Sequence, residues 1–267
     1  MSLTEAIYTK LLQSIKAGAS NNPQTLNDGL RLLSKWRSLL IQNTLVQNNG
    51  TSIMDGPFKG LKFLSKSHEG CYVPKLLGTY EQPLHETIET IISTPYEVIL
   101  NIGSAEGYYA AGFAKRMPDT TIMAFDLNNA IKKPFGILLK ENNIKNCIYS
   151  ETKFLPEDFS KFENRKTLVF CDIEGAEIEL LHPDIATSLK RMDLVVEAHD
   201  CFDKTISRTL LKRFSETHFI KIIKDKGERT LSASPEWFSN LSHLDQILSF
   251  WEWRSGPTPW MIMKAKN

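Results

Sequence analysis

The stretch EVILNIGSAEGYYAAGFAKR, Glu97 to Arg116, begins as a short apolar run and ends as an amphipathic helix. Glycines at 103 and 107 mark the turn between the two. Glycine loops at strand-to-helix turns hold nucleotide-like ligands, and the spacing separates the classes. A dinucleotide fingerprint needs glycine where this chain has Ala105 and Tyr108, and a phosphate-cradling loop needs Gly-Lys-Ser/Thr where it has EGYY. Binders of pyrophosphate are therefore disfavoured. In the G-x-x-x-G that remains, Gly103 suits a tight turn and Gly107 a close approach at the helix start. The N–H groups of this loop are expected to favour a carboxylate. Asp126 closes the next apolar run in IMAFDLNN, about 20 residues on, where a carboxylate accepts both hydroxyls of a ribose. A ligand with a ribose, a carboxylate and no phosphate is S-adenosylmethionine.

Working outward, further apolar runs predict strands at Val98–Ile102, Ile122–Phe125, Cys147–Ser150, Leu168–Cys171, Leu194–Glu197 and Ile220–Lys224. Helical stretches are expected at Ala110–Met117, Ile131–Glu141, Ile178–Leu189 and Thr205–Thr217. The alternation means an α/β fold with a largely parallel sheet, and ligands in such sheets bind at the carboxyl ends of the strands. Upstream, Ile7, Leu11, Leu12 and Ile15, and then Leu30, Leu33, Trp36, Leu39 and Leu40, recur at helical spacing. They predict two helices joined by the turn GASNNPQT. Between Ile53 and Thr79 glycine and proline punctuate short apolar pieces, as in a small hairpin or irregular lid, and EQPLHETIETII opens a helix. The expected division is a helical appendage at 1–50, a lead-in or lid segment at 51–95, and a cofactor-binding domain at 96–267.

Composition bounds the partners. The 267 residues carry a formal net charge of +1, with 42% hydrophobic and 24% charged residues. That is ordinary globular composition without the basic footprint of a nucleic-acid binder. The opening residues are amphipathic, unlike a signal peptide, and no run of roughly 20 apolar residues would cross a bilayer. The cysteines Cys71, Cys147, Cys171 and Cys201 are widely spaced, with no pair set for zinc or a disulfide framework. The expectation is a cytoplasmic protein that engages neither membrane nor nucleic acid, with homo-oligomerisation through the N-terminal helices open.

Three stretches, ILNIGSAEGYYAAGFA, FCDIEGAEIELL and LVVEAHD, resemble class I S-adenosylmethionine-dependent methyltransferases, and more narrowly the FkbM-like group. GPFKGLKFL…PKLLGTYEQPLHETI is similar to the lead-in of some FkbM-like proteins, and TPWMIMKA to the closing strand. The resemblance implies a Rossmann-like sheet of seven strands, the last antiparallel. Many members of the group have an acidic residue where this chain has Asn101; an amide still meets the methionine amine, without the charge. The residues expected at the cofactor are Asn101, Gly103, Ser104, Ala105, Glu106, Gly107, Asp126, Leu127, Glu151 and Asp172. A side chain at Gly103 is expected either to intrude on that cofactor or to force a φ that only glycine takes at low cost, so that Gly103→Val folds but fails to bind.

The candidate catalytic residues lie at the next two strand ends. CDIEGAEIELL places Asp172 and Glu174 beyond the fourth strand, and VVEAHD places Glu197, His199 and Asp200 beyond the fifth. Glu174 and Glu177 serve equally well as helix-start residues. A histidine among carboxylates is either a general-base cluster or a hard-metal site; metal-free catalysis by Asp172, Glu174, Glu197 and His199 is preferred, with Asp172, Glu197, His199 and Asp200 as the ligands if a divalent metal binds. His68, His85, His182, His218 and His243 lack such company and read as structural or solvent-facing. Tyr108 and Tyr109 read as helix packing, Tyr80 and Glu81 equally as lid or core, and Trp237, Trp251, Trp253 and Trp260 as core or cap. Methyltransferases of base amino groups carry an Asn/Asp-Pro-Pro-aromatic stretch after the fourth strand; DIEG stands there, favouring oxygen. The expected activity is methyl transfer to a hydroxyl of a small or glycosylated molecule, leaving S-adenosylhomocysteine. The alternatives are a catalytically silent cofactor-binding interaction protein and, behind it, a nicotinamide-dependent enzyme.

Overall fold

The computed structural model describes residues 2–18, 22–67 and 70–266, so His68 and the middle of the GASNNPQT turn lie outside the described residues. The chain runs α1 (Leu3–Ala17), α2 (Pro23–Asn49), α3 (Tyr72–Leu77), α4 (His85–Ile92), β1 (Val98–Ile102), α5 (Tyr108–Arg116), β2 (Thr121–Phe125), α6 (Lys132–Glu141), β3 (Cys147–Ser150), β4 (Thr167–Cys171), α7 (Glu177–Leu180), β5 (Asp193–Glu197), α8 (Ile206–Phe214), β6 (His218–Ile223), α9 (Glu236–Ser239), α10 (His243–Ser249) and β7 (Trp260–Ala265). The strands form one seven-stranded sheet in the order β3-β2-β1-β4-β5-β7-β6. Pairing is parallel from β3 to β5, and β7 runs antiparallel to both neighbours. The sheet is therefore the mostly parallel one expected, with its final strand reversed.

Burial explains the sequence pattern. Every residue of β1 and β4 is buried, as central strands covered on both faces require. The sheet has one apolar cluster on each face: Phe113, Phe135 and Phe170 anchor one, Phe159, Leu189 and Phe214 the other. The edge strands β3 and β6 are only partly covered, so their inward and outward positions differ. None of the described helices is long and apolar enough to cross a membrane.

Two expectations need correction. The helix foreseen at Ile178–Leu189 stops at Leu180, and a 3₁₀ turn follows at Thr187–Arg191. Pro183 lies between the two; proline has no N–H to donate and its ring clashes with the preceding turn. In α2 the buried positions are Gly29, Ser38, Ile41 and Leu45, whereas Leu30 and Leu33 face solvent. The helical period is right, but α2 meets the body of the protein, through α10 and α3, along a different stripe.

Candidate active site

The carboxyl ends of β3, β2, β1 and β4 enclose a cavity of about 500 Å³, within the usual size of small-molecule sites. Its wall includes Gly103, Asp126 and Asp172, with Leu127, Phe154, Leu155 and Ile173 supplying apolar surface. The β1 turn is stapled to β2: the N–H groups of Gly103 and Ser104 donate to the Phe125 carbonyl at 2.9 and 3.0 Å. Asp126 receives the Ala105 N–H at 2.8 Å on one carboxylate oxygen and the Asn128 N–H at 2.8 Å on the other. These loop donors are therefore spent inside the protein, and the expected cradle for a carboxylate is not built from them. At the end of β1 the amide oxygen of Asn101 and the hydroxyl of Ser104 are buried without a hydrogen-bond partner. Buried polar atoms of that kind call for a ligand or water.

Gly103 has φ +78°, and a Cβ built on it would lie 1.6 Å from the Asp172 carbonyl oxygen. The backbone angle is thus the glycine-only one expected, and the first obstacle to a side chain is the protein's own β4 end rather than a bound cofactor, which sets folding as well as binding at risk in a Gly103 variant.

Three of the expected cofactor contacts have a different placement. Glu106 is fully buried and its carboxylate meets Lys75 Nζ and the Ser67 hydroxyl, both at 2.9 Å, fastening the lead-in segment to the start of α5. Glu151 reaches Lys132 at 2.6 Å, and its neighbour Thr152 lines the cavity instead. Gly107 caps α5 in a left-handed conformation, with the Phe135 ring where a Cβ would stand.

Beyond β4 and β5 the acidic residues gather around His199, which is 4% exposed. Its Nδ1 lies 2.7 Å from Glu177 Oε1, so the N–H there donates to a carboxylate and Nε2 faces the site. Nε2 lies 3.5 Å from Asp172, 3.7 Å from Glu174 and 3.7 Å from Glu197. Burial opposes a proton on His199, but the Glu177 hydrogen bond and the charges of Glu197, Glu177 and Glu174 outweigh it and raise its pKa above the ordinary value. Burial, then the charges of Glu197 and Glu81, push the Asp172 carboxyl well above the usual carboxylate range. Glu174 sits at φ +55°, a conformation that costs free energy for a non-glycine residue and that directs its carboxylate toward His199.

Asp172, Glu174 and His199 offer ligand atoms all within 4.8 Å of one another, the one such group among the described residues. The ligand set expected from the sequence is thereby altered. Asp200 leaves it, because its carboxylate accepts the Ser207 N–H at 3.0 Å and hydroxyl at 2.7 Å at the start of α8. Glu197 is held by Arg254.

Arg254 is the component that sequence reasoning missed, and Glu81, read as lid or core, is its buried partner. The Arg254 guanidinium donates to Glu197 and Thr258, to Glu81 at 2.7 Å and to Glu252 at 3.1 Å. Glu81, buried at the end of the lead-in segment, also accepts from the Tyr109 hydroxyl, so Tyr109 is more than helix packing. Burial and the charge of Glu197 raise its pKa to about 8, despite Arg254. The available signal was WEWRSGP, an acid and a base set among tryptophans. His85 and His218 are structural as expected, each ring meeting a backbone carbonyl, at 3.1 and 2.8 Å.

We expect Asp126→Ala to weaken S-adenosylhomocysteine binding tens-fold or more, since a charge-assisted hydrogen bond is worth about 1.5–3 kcal/mol and the β1 turn loses a tether as well. Calorimetric titration reads this directly; an unchanged affinity removes Asp126 from the site.

No family model matches the chain, and no curated protein does either. Solved structures do. A candidate O-methyltransferase from Klebsiella pneumoniae aligns with a TM-score of 0.50 at 10% identity, covering 85% of this chain and 97% of that one. The O-methyltransferase TomG from Streptomyces achromogenes, solved with S-adenosylmethionine, gives 0.44 at 14% identity, covering 70% and 80%. A precorrin-6y C5,15-methyltransferase from Geobacter metallireducens gives 0.43 at 16%, covering 68% and 89%. At such identities the likeness is one of architecture: the chain has the Rossmann-like fold of class I methyltransferases.

Proposed function

We propose that this chain is an S-adenosylmethionine-dependent methyltransferase acting on a hydroxyl of a small or glycosylated molecule, with 96–267 as the cofactor domain, 51–95 as its lead-in and 1–50 as a helical appendage. The observation that carries the reading is the cavity across four strand ends, whose wall holds both the ribose-binding candidate Asp126 and Asp172 of the histidine cluster. The orphaned Asn101 and Ser104 oxygens add polar groups of the kind a methionine moiety meets. The acidic rim attracts a sulfonium cation and repels a pyrophosphate, which disfavours a nicotinamide dinucleotide. It equally disfavours a polyphosphate acceptor such as nucleic acid. The described cysteines are free, as suits a reducing cytoplasm.

Bound S-adenosylmethionine supplies an electrophilic methyl group. The protein's share is to align the acceptor hydroxyl and to take its proton. Glu177 fixes the His199 ring so that Nε2 is the proton-accepting atom, and Asp172 stands between that nitrogen and the cavity. Below its raised pKa His199 already carries a proton, so turnover is expected to fall as pH falls, with the acid limb above the ordinary histidine value near 6.5. Glu177→Gln should move that limb to lower pH by about one unit. A limb that stays in place assigns the titration to another group.

The primary test is calorimetry of the chain with S-adenosylhomocysteine and with NAD, followed by labelled-methyl transfer to a panel of hydroxylated acceptors. Binding of NAD alone overturns the cofactor assignment. S-Adenosylhomocysteine binding without transfer to any acceptor favours a non-catalytic cofactor-binding protein.

A further inference from the structure

The N-terminal helices form an antiparallel hairpin: the Trp36 indole N–H donates to the Thr4 hydroxyl, and a Cβ at Gly29 would touch Leu11. Half-buried Ile7, Leu11 and Ser14 on α1 therefore face Thr25, Gly29 and Leu32 on α2. Each of the six is followed by an exposed residue, and all six of those are apolar: Tyr8, Leu12 and Ile15, and Leu26, Leu30 and Leu33. One residue further along a helix is a rotation of about 100°. In an antiparallel pair, equal rotations from the shared contact line bring both stripes to the same side. The hairpin thus presents one continuous apolar face, on which Tyr8, Leu26 and Leu30 are 62%, 72% and 67% exposed.

None of the 15 residues of α1 is buried, although a helix of that length is marginal on its own. The six side chains expose roughly 600 Å² of apolar surface, at the upper end of what a monomer leaves open. Two such faces together remove on the order of 1,200 Å², the size of a small stable interface. Charge favours a copy of the same chain over an anionic membrane. The six side chains include no lysine or arginine; the α2 stripe ends at Arg37, whose charge is held by Asp245 at 2.6 Å, and the α1 rim has Glu5 near one end and Lys16 near the other. A two-fold arrangement with α1 antiparallel to its mate sets each Glu5 near Lys16 of the second copy.

We propose that this face joins two copies of the chain through a four-helix bundle. The inference is independent of the catalytic reading. Sedimentation equilibrium of the full chain over a micromolar range should show a mass rising from 30.4 kDa toward twice that value. Leu12→Glu with Leu30→Glu should hold it at the monomer mass, while Phe219→Glu, on the exposed side of β6, should leave it unchanged. Hydrogen exchange over 3–17 should slow as the concentration of the unaltered chain rises, a readout that needs no variant to fold. A monomer throughout the range overturns the proposal, as does a double variant that associates like the unaltered chain or exchange independent of concentration. Binding of a monomeric chain to phosphatidylglycerol vesicles through this hairpin also overturns it.

Discussion

Gly103→Ala is expected to lower the unfolding free energy by about 2–5 kcal/mol, a large share of the 5–15 kcal/mol that domains possess. Two costs combine. The left-handed backbone at φ +78° is unfavourable for alanine by about 1–2 kcal/mol. The new Cβ would also lie 1.6 Å from the Asp172 carbonyl oxygen and 2.6 Å from its carbon, atoms of a backbone that cannot swing aside like a flexible side chain. Asp172 is tied to β1 by its own N–H, which donates to the Ile102 carbonyl at 2.9 Å. Relieving the clash therefore means parting two central strands at the cavity mouth, at about 1–3 kcal/mol for such overpacking. Urea denaturation followed by circular dichroism measures the change, and a midpoint equal to that of the unaltered chain would refute this account.

His199→Ala should reduce turnover at least about a hundredfold while cofactor affinity stays within a few-fold, as loss of a general base does. The ring does not line the cavity and stands behind Asp172, so its removal leaves the cavity walls in place. Some stability is also expected to go, because Glu177 is fully buried and loses its 2.7 Å partner. His199→Gln, which restores a donor of similar reach, separates that effect from chemistry: it should recover stability without recovering turnover. Chelation distinguishes the base from the metal form of the site. Activity abolished by EDTA and returned by magnesium would recast Asp172, Glu174 and His199 as ligands. A variant with undiminished turnover would remove His199 from the reaction.

The sheet was legible because its physics is local. Runs such as VIL of β1 and LVFC of β4 are buried on both faces, so they are apolar throughout, and turn glycines follow the strand ends. The acidic residues were legible by position, since parallel strands present their carboxyl ends to one edge. What stayed hidden depends on partners remote in the chain. Glu106 reads as a loop residue until Lys75 is placed on it, and Glu151 reads as a strand-end acid until Lys132 reaches it. Arg254 binds residues 173 and 57 positions away, Glu81 and Glu197, and no local spacing encodes that. The helix lost at Pro183 is different: the proline was in plain view, and apolar periodicity on either side masked its effect.

The place of β7 has a consequence for the order in which the molecule is assembled. β6 is hydrogen-bonded to no strand except β7, which lies between it and β5. A nascent chain leaving the ribosome can complete β3, β2, β1, β4 and β5 as a parallel raft, but His218–Ile223 has no strand to pair with until Trp260–Ala265 has been synthesised. The 36 residues between the two strands, which carry Arg229, Glu252 and Arg254, must be held out of register meanwhile. Closing the sheet and neutralising the buried acids beside β5 are thus a single late event. A ribosome-stalled chain ending before Trp260 should remain protease-sensitive from residue 218 onward, however well the residues before it have folded.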